Sequence, residues 1–241
     1  MHETPKNSVS FKVYGKYALF TDPVTKIGGE KCSYHLPTYE AVKGILKSIY
    51  WKPTFIWVVD KVRVMNPMRT QTKGTKPLVF GGGKKKNSLA IYTFLRDVEY
   101  QVQAHFEQNK YRSELASDYI DGKHYAIAKR SIDKGGRQDI FLGTRDCQAY
   151  VEPCEFGEES GKYDEIDELG FGLMFHSFDY PDETGVNMLR SRLWHATMKR
   201  GIVEFPRPEQ CKIARDIREM HPKQFGIGNN LQQVSNEENL S

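Results

Sequence analysis

The chain has 241 residues, of which 39% are hydrophobic, 12% aromatic and 27% charged, a balance that fits one large or two small globular domains. No run approaches the ~20 apolar residues of a membrane span, and Met1-His2-Glu3-Thr4-Pro5 lacks a signal peptide's apolar run, so a cytoplasmic protein is expected. The net charge of +4 hides a division: residues 1–150 hold 25 Lys/Arg against 14 Asp/Glu, and residues 151–241 hold 10 against 17.

Val9 to Phe20, rich in Val, Tyr and Phe, predicts a strand that ends at the turn signal Thr21-Asp22-Pro23. Tyr39, Val42, Ile45, Leu46 and Ile49 recur at helical spacing after Thr38, and Trp51-Lys52-Pro53 stops that helix with Tyr50 in its last turn. Phe55 to Val64 predicts a second strand, with Ile56, Val58, Val62 and Val64 on one face and Phe55, Trp57, Lys61 and Arg63 on the other. Asn66 to Asn87 carries six Lys/Arg and no acid, and reads as a basic loop or hairpin around Gly81-Gly82-Gly83. The strongest alternation runs from Ile91 to Phe106. A helix after Gly122 is expected to stop at Gly135-Gly136, and Ile140-Phe141-Leu142 resumes extended structure.

Strand, helix, strand, strand, helix, strand is the order of a ferredoxin-like, split βαβ domain of the α+β class, expected over residues 1–150. A smaller β-rich region follows at 151–225, with a polar tail at 226–241. Within that region Gly172–Phe178, Leu193–Thr197 and Gly201–Phe205 read as short strands, and Pro208–Met220 as a helix. Between Glu152 and Glu183 there are 11 acidic residues and a single Lys, which suits a face turned to protein partners or solvent. The basic part suits a polyanion such as nucleic acid, with plain solvation of two faces as the alternative.

Cys32, Cys147, Cys154 and Cys211 form no C-x-x-C pair, so reduced thiols are expected in place of a zinc site or a disulfide scaffold. Gly81-Gly82-Gly83-Lys84-Lys85-Lys86 lacks the P-loop frame, and Gly170-Phe171-Gly172 lacks the third glycine of a dinucleotide fingerprint. Lys26-Ile27-Gly28-Gly29-Glu30-Lys31 and Lys134-Gly135-Gly136-Arg137 pair flexible backbone with cations, as close approach to phosphate requires, although an ordinary turn explains each equally. His176, Asp179, Asp182 and Glu183 lie along one strand and turn, where solvation is a better reading than metal ligation. Lys123-His124 is the sharper pair. A histidine exchanges protons near neutrality, and the adjacent ammonium stabilises an anionic transition state while depressing the histidine's pKa. That chemistry suits metal-free RNA cleavage, in which the RNA's 2′-hydroxyl is the nucleophile. A surface pair without catalytic duty is the plainer reading of two adjacent residues.

Longer strings carry more. Tyr17-Ala18-Leu19-Phe20-Thr21-Asp22-Pro23, Ser48-Ile49-Tyr50-Trp51-Lys52-Pro53, Asp60-Lys61-Val62-Arg63, Ala128-Lys129-Arg130-Ser131, Asp139-Ile140-Phe141-Leu142-Gly143-Thr144-Arg145 and Tyr180-Pro181-Asp182-Glu183-Thr184-Gly185 resemble the RAMP superfamily of CRISPR-associated proteins. Within it the chain is most similar to the subtype I-C (Dvulg) form of CRISPR-associated protein 5, over residues 9 to 220. The resemblance implies a metal-independent endoribonuclease without cofactor. It would cleave precursor CRISPR RNA within each repeat, leaving a 2′,3′-cyclic phosphate and a 5′-hydroxyl, and would retain the mature guide's 5′ handle beside other interference-complex subunits. It also implies a catalytic set of Tyr50, Lys123 and His124, with Tyr125 where some relatives carry a second histidine. In that set His124 is the general acid or base, Lys123 steadies the phosphorane and Tyr50 orients or activates the 2′-hydroxyl. For RNA binding, Lys61, Arg63, Lys84, Lys85, Lys86, Lys134 and Arg137 are the candidate phosphate contacts, and Phe55 or Trp57 the candidate stacking face. A guide-binding subunit that never cuts and a metal-dependent nuclease contacting DNA are the rival readings.

Overall fold

The computed structural model describes residues 7–27, 29–76 and 89–223. The polar tail expected from 226 onward and Lys84, Lys85 and Lys86 fall outside them. In chain order the elements are β1 (Val9–Ala18), α1 (Pro23–Ile27), β2 (Lys31–Cys32), α2 (Tyr39–Ile49), β3 (Phe55–Val64), β4 (Arg69–Thr75), β5 (Ala90–Gln108), α3 (Lys123–Asp133), β6 (Ile140–Phe141) and β7 (Gln148–Pro153). The acidic part supplies β8 (Leu169–Asp179), α4 (Pro181–Thr184), β9 (Met188–Met198), β10 (Ile202–Glu204) and β11 (Ile213–Glu219). The main sheet runs β10-β3-β5-β1-β7-β6, and β3, β5, β1 and β7 are each antiparallel to their neighbour in the order a ferredoxin-like domain requires. Strands β11, β9 and β8 form a second, three-stranded sheet. No helix among the described residues is long and apolar enough to cross a membrane.

Sequence and structure agree where periodicity is long. The hydroxyl of Thr38 caps α2 by accepting the Ala41 N–H at 3.1 Å, and the helix buries Tyr39, Val42, Ile45, Leu46 and Ile49. They part at β3. A bulge between Val59 and Lys61 inserts Asp60, so the even–odd alternation changes face midway. Phe55, Trp57 and Val59 lie opposite Gln108, Phe106 and Ala104 of β5 and share the core face with Val62 and Val64, while Lys61 and Arg63 share the other face with Ile56 and Val58. Phe55 and Trp57 are therefore buried core aromatics, packed edge-on against each other at 5.7 Å, and offer no stacking face.

The basic stretch after Asn66 begins with a strand, β4, paired antiparallel with the next strand β5 as the hairpin alternative requires. One further segment differs from the sequence reading. Pro208–Met220 is not a helix: a short turn at Pro208–Gln210 leads into β11, an edge strand paired with β9. Ile213, Ala214 and Ile217 are too few to form a helical core stripe, whereas alternating charges suit an exposed edge. The domain boundary expected after residue 150 falls inside β7. Past that point the chain turns back over the main sheet, where Gly157 N–H donates to Gln101 at 2.9 Å and Asp164 pairs with Arg63 at 2.7 Å.

Arg63 is only 6% exposed, and its guanidinium donates to the Glu158 carbonyl, Gln101 and Asp164. Asp164 is in turn held below the usual carboxylate range by that guanidinium. Replacing Asp164 with Ala removes the partner of a buried cation, and we expect a loss of about 2 kcal/mol in urea unfolding. An unchanged midpoint would mean that the 155–164 crossing is not braced here.

Candidate active site

The end of α2 and the start of α3 meet below the core. Tyr50 has left the helix: its backbone is extended, and its carbonyl accepts the Trp57 indole N–H at 2.8 Å. The proline two residues beyond Trp51 and this indole bond turn its side chain inward, where only 1% of the residue is exposed. On α3, Gly122 adopts a left-handed backbone at φ 71°, which lets the chain swing from the Asp118 turn into the helix and sets His124 inward, also 1% exposed.

The two side chains meet. Tyr50 Oη lies 2.8 Å from His124 Nδ1, and His124 Nε2 lies 2.9 Å from the Asp118 carbonyl oxygen. A carbonyl can only accept, so Nε2 carries the proton and Nδ1 presents its lone pair to the phenol O–H. Burial holds His124 below the usual histidine range, with Lys123 a smaller contributor. The depression is thus chiefly desolvation, with the neighbouring ammonium second to it. Burial likewise raises Tyr50. Lys123, with a side chain 38% exposed, pairs with one Asp118 oxygen. The other Asp118 oxygen accepts from Thr54 at 2.8 Å and lies 3.4 Å from His124 Nε2. Asp118 is held below the usual carboxylate range, first by Lys123 and then by Thr54. It was absent from the sequence reading, because one acid in a polar stretch has no spacing signal until the turn brings it beneath α3.

A cavity of about 580 Å³ opens at Tyr50, lined by Lys47, Ser48, Trp51, Lys52, Arg137 and Gln138. Arg137 arrives there through the end of α3. Gly135 N–H bonds the Ile132 carbonyl and Gly136 N–H the Ser131 carbonyl, with φ of 80° and 104°, a Schellman stop that only glycine accommodates readily. Arg137 and Gln138 N–H groups then both bond the Ser48 carbonyl, and the guanidinium lies 5.7 Å from the Tyr50 ring centroid. Lys134 is exposed at the helix cap.

The remaining sequence candidates lie elsewhere. Lys61 sits 4.7 Å over the Phe156 ring, and Arg63 is the internal brace described above. Tyr125 lines a different cavity with Lys129 and Cys154. His176 is stacked on Tyr39 at 4.5 Å and pushed down to about 4 by burial. Its supposed companions diverge, Asp179 to Arg192, Asp182 to Arg112 and Glu183 to Lys43 and Lys47.

Comparison with known proteins shows the family of the chain. Residues 8–206 match the Cas5d family model, described as CRISPR-associated protein (Cas_Cas5). A Mannheimia succiniciproducens protein named CRISPR pre-crRNA endoribonuclease Cas5d is 28% identical, covering 83% of this chain and 95% of its own. One of the same name from Thermus thermophilus is 27% identical, covering 88% and 96%. A crystal structure of a CRISPR-associated protein superposes with a TM-score of 0.73 at 34% identity, covering 86% of this chain and 96% of its own. A functionally uncharacterized Streptococcus mutans protein gives 0.71 at 36%, with the same coverage. With its ferredoxin-like order and near-complete family match, the chain belongs to the Cas5d family of CRISPR-associated proteins.

Proposed function

We propose that this chain is a metal-independent endoribonuclease that cuts precursor CRISPR RNA within the repeat. The observation that carries the reading is the buried 2.8 Å bond from the Tyr50 phenol to His124 Nδ1, with the opposite nitrogen held by Asp118. A phenol of ordinary pKa near ~10 is a poor base at neutral pH. Here it need not act alone. As the RNA 2′-hydroxyl attacks phosphorus, its proton passes to Tyr50 Oη while the phenol proton passes to His124 Nδ1. The resulting imidazolium is met by the Asp118 carbonyl and carboxylate. No free tyrosinate forms, which suits a phenol whose burial disfavours its anion, and the charge falls instead on the imidazole that Asp118 faces. The P–O5′ bond then breaks, and the leaving 5′-oxygen takes a proton from solvent to give the 5′-hydroxyl beside the 2′,3′-cyclic phosphate. Lys123 keeps further N–H donors beyond the one on Asp118, and these stabilise the equatorial oxygens of the phosphorane.

Phosphates of the RNA are guided to Tyr50 by Lys52 and Arg137, both exposed at its cavity. RNA and the other subunits of a CRISPR complex are the partners. The finer proposal is that the cut product's 5′ handle stays in this cationic groove. Asp118, which acts through His124 and Lys123, is a positioning residue. The reading of a guide-binding subunit that never cuts leaves the buried relay without a purpose, and the metal-dependent DNA nuclease lacks converging ligands among the described residues.

Repeat RNA incubated with the protein in excess EDTA should be cut at one position. His124→Ala should lower the rate by about 10²–10⁴-fold, and Tyr50→Phe by about 10²-fold. Binding without cleavage would instead indicate the non-catalytic subunit, and rescue by magnesium the metal-dependent enzyme.

The pH dependence follows from the direction of the His124 shift. The relay needs neutral imidazole, and a lowered pKa keeps it neutral as pH falls through ~6.5, the ordinary histidine value. The acid limb of kcat should therefore lie below ~6.5. A limb at or above that value would remove His124 as the terminal base. The same shift makes folding stability fall on acidification, because the unfolded chain binds the proton at a higher pH than the folded one.

A further inference from the structure

Beside the Tyr50 cavity lies a second one, of about 460 Å³, walled by Trp51, Pro53, Phe55 and Tyr180. Lys47 and Trp51 line both, so the two cavities adjoin across the residue that follows the proposed relay tyrosine. Trp51 is a large aromatic side chain 41% exposed at that junction. The surrounding wall is fixed in advance. The Asn109 side-chain amide donates to the Pro53 and Asp182 carbonyls at 3.2 and 2.9 Å while its oxygen accepts Tyr111 N–H at 3.1 Å. Lys47 is held 3.0 Å from Glu183, with its ammonium 5.7 Å from the Tyr180 ring centroid. The volume falls within the roughly 300–1,000 Å³ of small-molecule sites.

We infer that this pocket receives one unstacked nucleobase of the RNA next to the cut, with Trp51 as its stacking face. The inference rests on the endoribonuclease reading and adds a specificity subsite to it. Attack by a 2′-oxygen requires that oxygen, the phosphorus and the leaving 5′-oxygen to stand in line, an alignment that continuous A-form stacking does not offer. One base beside the scissile phosphate must leave the stack and needs an apolar, flat-walled place to go. The pocket meets that need on two counts. It continues directly from the groove that holds Tyr50, and that groove's exposed Lys52 and Arg137 match the phosphates on either side of an extruded base.

The test uses the full chain in a His124→Ala background, which keeps the RNA whole, and measures binding to repeat RNAs with one abasic site placed at each position in turn. Trp51→Ala should weaken binding of intact repeat RNA about 10-fold, with Trp51→Phe restoring most of the loss. One abasic position should cost the Trp51 protein a similar factor and cost the Trp51→Ala protein nothing further. If no abasic position behaves so, or if Phe binds no better than Ala, the subsite assignment is overturned. The endoribonuclease reading fails separately, when the protein bearing His124 cuts intact RNA no faster than His124→Ala.

Discussion

The molecule is organised by the pairing of a single 19-residue strand, β5. Its N-terminal half pairs with β4 on one edge and β2 on the other, and its C-terminal half with β3 and β1. Because α2 carries the chain from β1 to β3 across β5, and α3 carries it from β5 toward β7 across β1, two crossovers of the same hand place both helices on one face of the sheet. That shared face brings the end of α2 against the start of α3, and the Tyr50–His124 bond forms where they converge. That bond is thus a consequence of strand order: Tyr50 and His124 stand 74 positions apart in sequence, and the antiparallel pairing of β3 with β5 between them returns the chain to the same place.

Burial has two effects on that convergence. It commits both His124 nitrogens to partners, which fixes the tautomer without help from a charged ligand. It also surrounds the imidazole with aromatic rings, those of Tyr50, Phe55 and Phe106 lying 6.0, 5.2 and 6.5 Å from it. Phe55 and Trp57 therefore serve the site from behind. They hold the relay rigid, while the exposed Trp51 lies on the outer side.

Much of this fold was legible in the sequence, because α2, β1 and β5 repeat their apolar spacing over ten or more residues. The misreadings have local causes. One inserted residue, Asp60, reversed the face of everything after it in β3, so that Val62 and Val64 share the core face with Phe55 and Trp57. β11 has too little apolar content for periodicity to separate helix from edge strand. In the site, Lys123-His124 stood out by residue type, and Tyr50 entered through family resemblance. Asp118, Trp51 and the Ser48 carbonyl that anchors Arg137 carry no local pattern, since their roles arise from tertiary proximity.

The charge division with which the sequence opens acquires a different meaning in three dimensions. The acidic stretch from Glu152 to Glu183 is not simply a face for solvent or partners. Several of its carboxylates reach back to the basic part: Glu183 to Lys43 and Lys47, Asp164 to Arg63, Asp182 to Arg112, and Glu152 to Lys12 at 3.8 Å. Lys43 and Arg63 are buried, so their charges require such partners. The acidic region therefore partitions the cations of the basic one. Some become internal braces that fasten the second sheet to the first, and Arg63 in particular is withdrawn from RNA. Lys52 and Arg137 remain exposed at the Tyr50 cavity, and Lys123 stays partly exposed beside His124. The exposed positive charge of this surface is thereby concentrated beside the Tyr50 cavity, because the carboxylates have already taken much of the positive charge elsewhere, and that is where the proposed function requires a phosphate chain to approach.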